Sequence, residues 1–388
     1  MSKPFVTTLL ASLAVGALSL AALPRAARAQ GTLSTQGFGY PTGEMSARAL
    51  GTGGAIAEFD PYSATNPGAL AGIGATALYM QAEPEFRSLR AAAGTQSGMI
   101  ARHPLTGLAV PFHGSWVVGV SVSNLLDRSF ETTERRSETI GDTVLGTTNL
   151  FKSDGAIGDV RVALAWLPVS WLRLGVAGHA ITGDNRLTAT ERFDDSSRFA
   201  PIADTTTVTY VGTALSAGVQ AFAGSVLGVA ASYRRGGGMS VKHADSTLAS
   251  ANVPDRLSLS AAFVGIKGTM LAVRTSHDTW TRMRGLGSAA LPISDAWDTS
   301  VGADVLGPRW GDRSIQLRAG GRWRTLPFGL ANSEVKETSV SMGLGTLLAR
   351  GRIGLDLAGI RASRSPVSST VDLHETAWTV SVGVTVRP

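Results

Sequence analysis

The sequence predicts an all-β protein: a transmembrane antiparallel β-barrel of about 14 strands preceded by an N-terminal hatch or plug segment. Three observations carry this. Short stretches with one apolar and one polar face recur along the chain, most clearly in the last, where Trp378, Val380, Val382, Val384 and Val386 alternate with Thr379, Ser381, Gly383 and Thr385. A strand with a continuous apolar face and a small polar face suits hydrocarbon outside and a polar lumen inside. The connections between these stretches alternate short and long, the pattern of barrels with tight periplasmic turns and larger external loops. Beyond the first residues, no apolar run approaches the ~20 residues of a spanning helix, which leaves the closed barrel as the membrane solution.

The elements follow in order. Residues 1–29 read as a signal peptide, with Lys3, the apolar run from Val6 to Leu23, and Ala27-Arg28-Ala29 as the cleavage site. Residues 30–74 do not alternate and are rich in glycine, as a compact plug inside a barrel requires. The barrel, residues 75–388, opens with Leu78 and Met80 on one face. Leu108, Val110 and Phe112 turn at His113-Gly114 into Trp116, Val118 and Val120. Residues 127–154 read as a long polar loop leading to Val160, Val162 and Leu164, then Leu172 and Leu174. After the charged stretch 183–204 come Val211 and Leu215, then Leu227 and Val229 beyond Gly224. Residues 234–254 read as another long connection, before Leu257, Leu259, Leu271 and Val273. Trp297 and Val301, Ile315 and Leu317, Val340 and Met342, Ile353 and Leu355 complete the set before the closing strand. The even count puts both barrel ends on the periplasmic side.

A soluble sandwich also has short strands, but it would not place an apolar face on every one. Trp116, Trp166, Trp171, Trp297, Trp323 and Trp378 fall near strand ends, as an interfacial belt does. The opposite faces describe the lumen. Arg161, Arg173, Arg274, Arg318, Arg322 and Arg324 point inward, because a charge facing lipid at mid-depth costs ~2–4 kcal/mol. The reading favoured for them is mutual pairing in a filled or wet interior, ahead of an anion-selective pore.

Charge and composition exclude several classes. The formal charge of +6 loses Lys3, Arg25 and Arg28 with the leader, leaving +3. The basic residues are dispersed, with no aromatic–basic module, so no nucleic-acid partner is expected. The chain has no cysteine, which removes disulfides and thiolate chemistry. The six histidines lie mostly at predicted strand ends or in loops, without metal spacing or a visible nucleophile–base pattern. No catalytic residues, metal or cofactor are expected.

Ser46 to Ala55, containing Arg48, Gly51, Gly53 and Gly54, followed by the turn Asn66-Pro67-Gly68, resembles the N-terminal signature of FadL-type outer-membrane proteins and of the related PorV-type proteins. The resemblance implies a fourteen-stranded barrel in the outer membrane of a diderm bacterium, with an N-terminal hatch in its lumen. It implies passive transport of hydrophobic small molecules such as long-chain fatty acids or hydrocarbons, with outer-membrane lipid and an apolar ligand as partners. The alternative is a PorV-like role in protein secretion or surface attachment, with a secreted protein as partner. Gly68 departs from the usual alanine, the chain ends Val386-Arg387-Pro388 without a terminal aromatic residue, and the external stretches lack an apolar capture hairpin.

Overall fold

The computed structural model describes residues 32–35, 38–91, 94–140, 143–195, 198–286, 292–310, 313–330, 333–367 and 373–388. The signal-peptide reading, residues 1–29, lies outside them. The chain forms a closed antiparallel barrel of 14 strands. These are β1 (Ala77–Ala91), β2 (Gly94–Arg102 and Leu105–Phe112), β3 (Trp116–Asp127 and Phe130–Ile140), β4 (Thr143–Val169), β5 (Leu172–Phe193), β6 (Ile202–Ala223) and β7 (Leu227–His243). They continue as β8 (Ser246–Asn252 and Arg256–Phe263), β9 (Thr269–Asp278), β10 (Ala296–Trp310), β11 (Arg313–Leu330), β12 (Ser333–Leu348), β13 (Ile353–Pro366) and β14 (His374–Val386). Each strand pairs with the next, and β14 closes on β1 from Val386↔Leu78 to His374↔Arg90.

Faces follow the alternation. Val120, Val162, Leu215, Leu259, Val301, Met342 and Val380 are exposed on the outside, while Ala163, Ala177, Arg274, Ser300 and Ser381 are buried within. Trp166, Trp171, Trp297, Trp323 and Trp378 are exposed at the two margins of this apolar band.

Three stretches read as long connections are largely strand instead. Residues 130–140 and 143–153 pair as a hairpin, 183–191 pair with 202–210, and 238–243 pair with 246–252. The asymmetry between the barrel ends therefore lies largely in strand length: β3 to β6 rise well beyond the apolar band. No apolar face marks these extensions because neither side of the sheet there meets hydrocarbon, while Thr, Phe and Ile still favour an extended backbone. Inside their base lies an apolar cluster that includes Leu125, Leu126, Ile157, Ile181, Tyr210, Met239 and Phe328. It is capped by the 3₁₀ turn Trp280–Leu286, whose Trp280 and Met283 are buried in it.

The outward and inward faces predict different tolerances. Val120→Arg on the lipid side of β3 should destabilise the barrel by ~2–4 kcal/mol. Thr132→Arg, above the band on the same strand, should change stability by less than about 0.5 kcal/mol. Guanidinium titration of the barrel folded in vesicles measures both.

Candidate lumenal site and wall opening

The N-terminal segment enters the lumen and touches both sides of the wall. Its helix Ala47–Gly51 packs on β12 to β14, and the 3₁₀ turn Pro67–Gly72 packs on β4 to β6. Ser46 caps the helix by accepting from Ala49 N. Asn66 caps the turn by accepting from Gly68 N at 2.8 Å, and its Nδ2 donates to Val219 O of β6 at 3.3 Å.

Backbone proximity explains the glycines of the motif. A Cβ on Gly51 would meet Gly343 Cα at 3.2 Å, and one on Gly68 would meet Gly218 O at 2.9 Å. Gly53 (φ +68°) lies against Gly321, and Gly54 (φ +93°) against Met45, both in a backbone region that glycine adopts freely. The wall answers with glycines of its own: Gly175 faces Pro67, and Gly302 and Gly320 face Thr52 with no room for a side chain.

Charge binds the segment as well. Arg48 pairs with Asp304 of β10 at 2.9 Å. Arg318 lies between Asp356 (2.6 Å) and the same Asp304 (3.4 Å). Arg322 bonds Asp298 at 2.6 Å, and Arg274 reaches both Asp298 (3.4 Å) and Glu58 of the segment (3.3 Å). Arg161 donates to the carbonyl of Ala64 at 2.6 Å. Arg324 bonds Glu337 at 2.7 Å and Tyr40. Arg173 has a different setting near the short-turn end, on Gln220 Oε1 (3.1 Å) and over the Phe222 ring.

Several inward charges were missed from the sequence. Arg234 and Arg256 both hold Glu44, the former at 2.5 Å. Arg364 binds Glu337 (2.5 Å), Glu375 (2.5 Å) and Glu85 (3.1 Å). The Tyr40 ring lies within 4.6–5.4 Å of the guanidiniums of Arg364, Arg324, Arg87 and Arg102. Glu337 and Asp298 sit on the same strand faces as the inward arginines, a period-two signal that could have found them. Arg234 lies in the stretch read as a loop, so its facing was invisible. Between the segment and the wall is a cavity of about 100 Å³ lined by Glu44, Glu85, Arg256, Asp298, Glu337 and Arg364 among others.

One histidine has an unexpected setting. His179 lies inside β5, its Nδ1 2.9 Å from Asp159 and its Nε2 2.8 Å from Ser216 Oγ. The sequence placed the histidines mostly at strand ends or in loops with no visible nucleophile–base pattern, and His179 departs from that reading. The order of groups is that of a hydrolytic triad, but a triad serine must face its substrate. Ser216 is buried at 9 % exposure, and the three residues tie β4, β5 and β6 together.

The wall is interrupted between β2 and β3. The ladder between β2 and β3 runs from Phe112↔Trp116 to Leu105↔Ser123. Among the described residues, the outer half of β2, Gly94–Arg102, pairs with β1 alone. Two local features cause this. Pro104 has no N–H to offer the ladder, and its carbonyl accepts from Asn124 N (3.1 Å) as the last link. A register shift at Asn124/Leu126 then turns β3 inward, so that Leu125 and Leu126 are buried in succession. The base of the opening is spanned by Tyr40 and Pro41, which pair with Asp127 and Leu126, and by Arg102 on Asp127 at 2.6 Å.

A Pseudomonas aeruginosa FadL homologue superposes on this architecture with a TM-score of 0.61, covering 90% of this chain and 99% of its own at 12% identity. The fold is that of a FadL-type outer-membrane barrel. Two further FadL-type structures are similar: the P. putida toluene transporter TodX (TM-score 0.54, 13% identity, 89% and 97% covered) and the monoaromatic hydrocarbon channel CymD (0.54, 12%, 89% and 97%). No family model and no curated protein matches the chain.

Two outcomes test how this FadL-type barrel holds its N-terminal segment. Burial alone would raise the Glu44 carboxyl, but Arg234 and Arg256 outweigh it and hold the group at about 2. Its contribution is complete above its ordinary value of 4.5 and is lost as pH falls toward 2. Hydrogen exchange of residues 44–60 should rise across that window, and Glu44→Gln should remove the Glu44-linked part of the rise. Gly320→Val should drive a side chain into Thr52 and displace the segment, raising single-channel conductance in planar bilayers over the wild-type level.

Proposed function

We propose that the protein is a passive outer-membrane channel for hydrophobic small molecules, with residues 30–74 acting as its hatch. The observation that carries this is the opening between β2 and β3 beside the apolar cluster of Leu125, Leu126 and Phe38. An apolar molecule entering from the side of the extended strands meets that cluster before it meets the charged ring. The opening then offers a way out toward hydrocarbon that avoids the arginines and carboxylates, whose desolvation would oppose its passage. The similar structures support the reading, since they are a FadL homologue, a toluene transporter and a monoaromatic hydrocarbon channel. Long-chain fatty acids and small aromatic hydrocarbons are the proposed substrates.

The test is uptake of radiolabelled long-chain fatty acid and of radiolabelled toluene by cells with and without the protein. The expected result is faster uptake of at least one with the protein present. Leu126→Arg, which puts a charge in the apolar cluster at the opening, should abolish the gain while the barrel still folds. Equal uptake of both compounds with and without the protein sinks the proposal.

A further inference from the structure

On the outer face of β12 to β14 the apolar pattern ends at a cation. Val340 and Trp378 are the last apolar residues of their strands on that face, and Arg361 stands in register between them. One step above, Thr338, Ser363 and Thr376 form a row of hydroxyls across the three strands. One step above that, Lys336 pairs with Ser365. All of these but the half-buried Thr376 are exposed.

Arg361 lacks a counter-charge. Among the described residues it pairs with no carboxylate, and its guanidinium lies over the Trp378 ring, 5.5 Å from the ring centre. Arg235 on β7 also faces outward, and each arginine stands eight residues from the short-turn end of its strand, Leu227 or Ile353. Arg235, however, has Asp255 at 2.7 Å. The outward carboxylate of β12 to β14, Glu334, lies beyond Lys336 on the water side. A guanidinium at the edge of hydrocarbon without a carboxylate calls for an anion from the membrane itself.

Depth indicates which leaflet supplies it. Eight residues at ~3.3 Å each and ~40° tilt put Arg361 about 20 Å above the short-turn end, near the far edge of an apolar band ~25 Å tall. Short turns are periplasmic, so this edge lies in the outer leaflet. The rows of Arg361 and Lys336 are four residues apart, about 13 Å along the sheet. An arginine reaching up and a lysine reaching down close most of that gap over Thr338 and Ser363. A phosphate there meets two cations and hydroxyl donors together.

The wall directly beneath has room for an acyl chain. Gly359 stands below Arg361 on β13, in register between Met342 and Val380. A Cβ on Gly359 would meet nothing within 4 Å, while Met342 beside it is 76 % exposed. The missing side chain leaves a furrow that leads from the cations down the apolar face of the same strands.

We propose that Arg361 and Lys336 bind the phosphate of an outer-leaflet lipid, with one of its acyl chains along the furrow at Gly359. The site lies apart from the seam between β2 and β3 and rests only on the barrel lying in an outer membrane.

The test is native mass spectrometry of the full barrel in detergent with a bisphosphorylated, acylated diglucosamine lipid. The expected result is one lipid retained per barrel. Arg361→Leu with Lys336→Gln should lower that occupancy about tenfold, and Lys336→Gln alone about threefold, because each cation attracts the phosphate. Gly359→Leu fills the furrow and should lower it about threefold. Arg235→Leu on the opposite wall should leave it unchanged, and heat-modifiable gel mobility identifies the folded variants. Equal retention by the double variant and the wild-type barrel overturns the proposal. So does equal retention of the same lipid stripped of its phosphates. Inorganic phosphate that displaces the lipid and stays on the barrel would assign the two cations to a free anion and overturn it as well.

Discussion

Ion pairing between wall and N-terminal segment is the interaction on which the interior depends. The outer face meets hydrocarbon, so charged residues of the spanning strands must turn inward, where the N-terminal segment displaces much of the water. An ion removed from water costs several kcal/mol unless partners replace its hydration. The partners come from neighbouring strands and from the segment: Arg322 on Asp298, Arg324 and Arg364 on Glu337, Arg234 and Arg256 on Glu44, Arg274 on Glu58. The same pairs therefore stabilise the wall and seat the segment. Removing Glu44 or Glu58 would leave guanidiniums buried with less compensation, which is why the segment and the barrel belong to one structure.

Close packing supplies the second half of that fit. At some of the closest approaches of helix and turn to the strands, glycine faces glycine, as at Gly51 and Gly343 or Gly68 and Gly218. Backbones then approach within van der Waals distance. The break between β2 and β3 is the contrasting region. A proline and a register shift interrupt the ladder, and Tyr40, Pro41 and Arg102 partly bridge its base. The lumen is thus charged and occupied by the N-terminal segment, while the seam between β2 and β3 lacks a ladder in its outer half.

The barrel was legible in the sequence because hydrocarbon writes a period of two on every strand it touches. Trp378 to Val386 could be read alone, and so could the inward facing of Arg274, Arg318 and Arg322. The extensions of β3 to β6 were not legible, since residues 130–153 have water on the side that hydrocarbon would otherwise mark. The list of lumenal charges was incomplete for the same reason, Arg234 lying where the pattern faded. His179 was misread because its partners, Asp159 and Ser216, stand on neighbouring strands and are far from it in sequence.

By itself the sequence determined the strand count, which residues face lipid, and the small-residue segment ahead of the barrel. These are local properties, set by the solvent each side chain meets and by the room a backbone needs. Tertiary structure decided what lies opposite what. The pairing of Glu44 with Arg234 and Arg256, the meeting of Gly68 with Gly218, the opening beside Pro104 and the hydroxyl row above Arg361 all depend on register between strands. Register is set cooperatively around a closed ring, so no single stretch of sequence displays it.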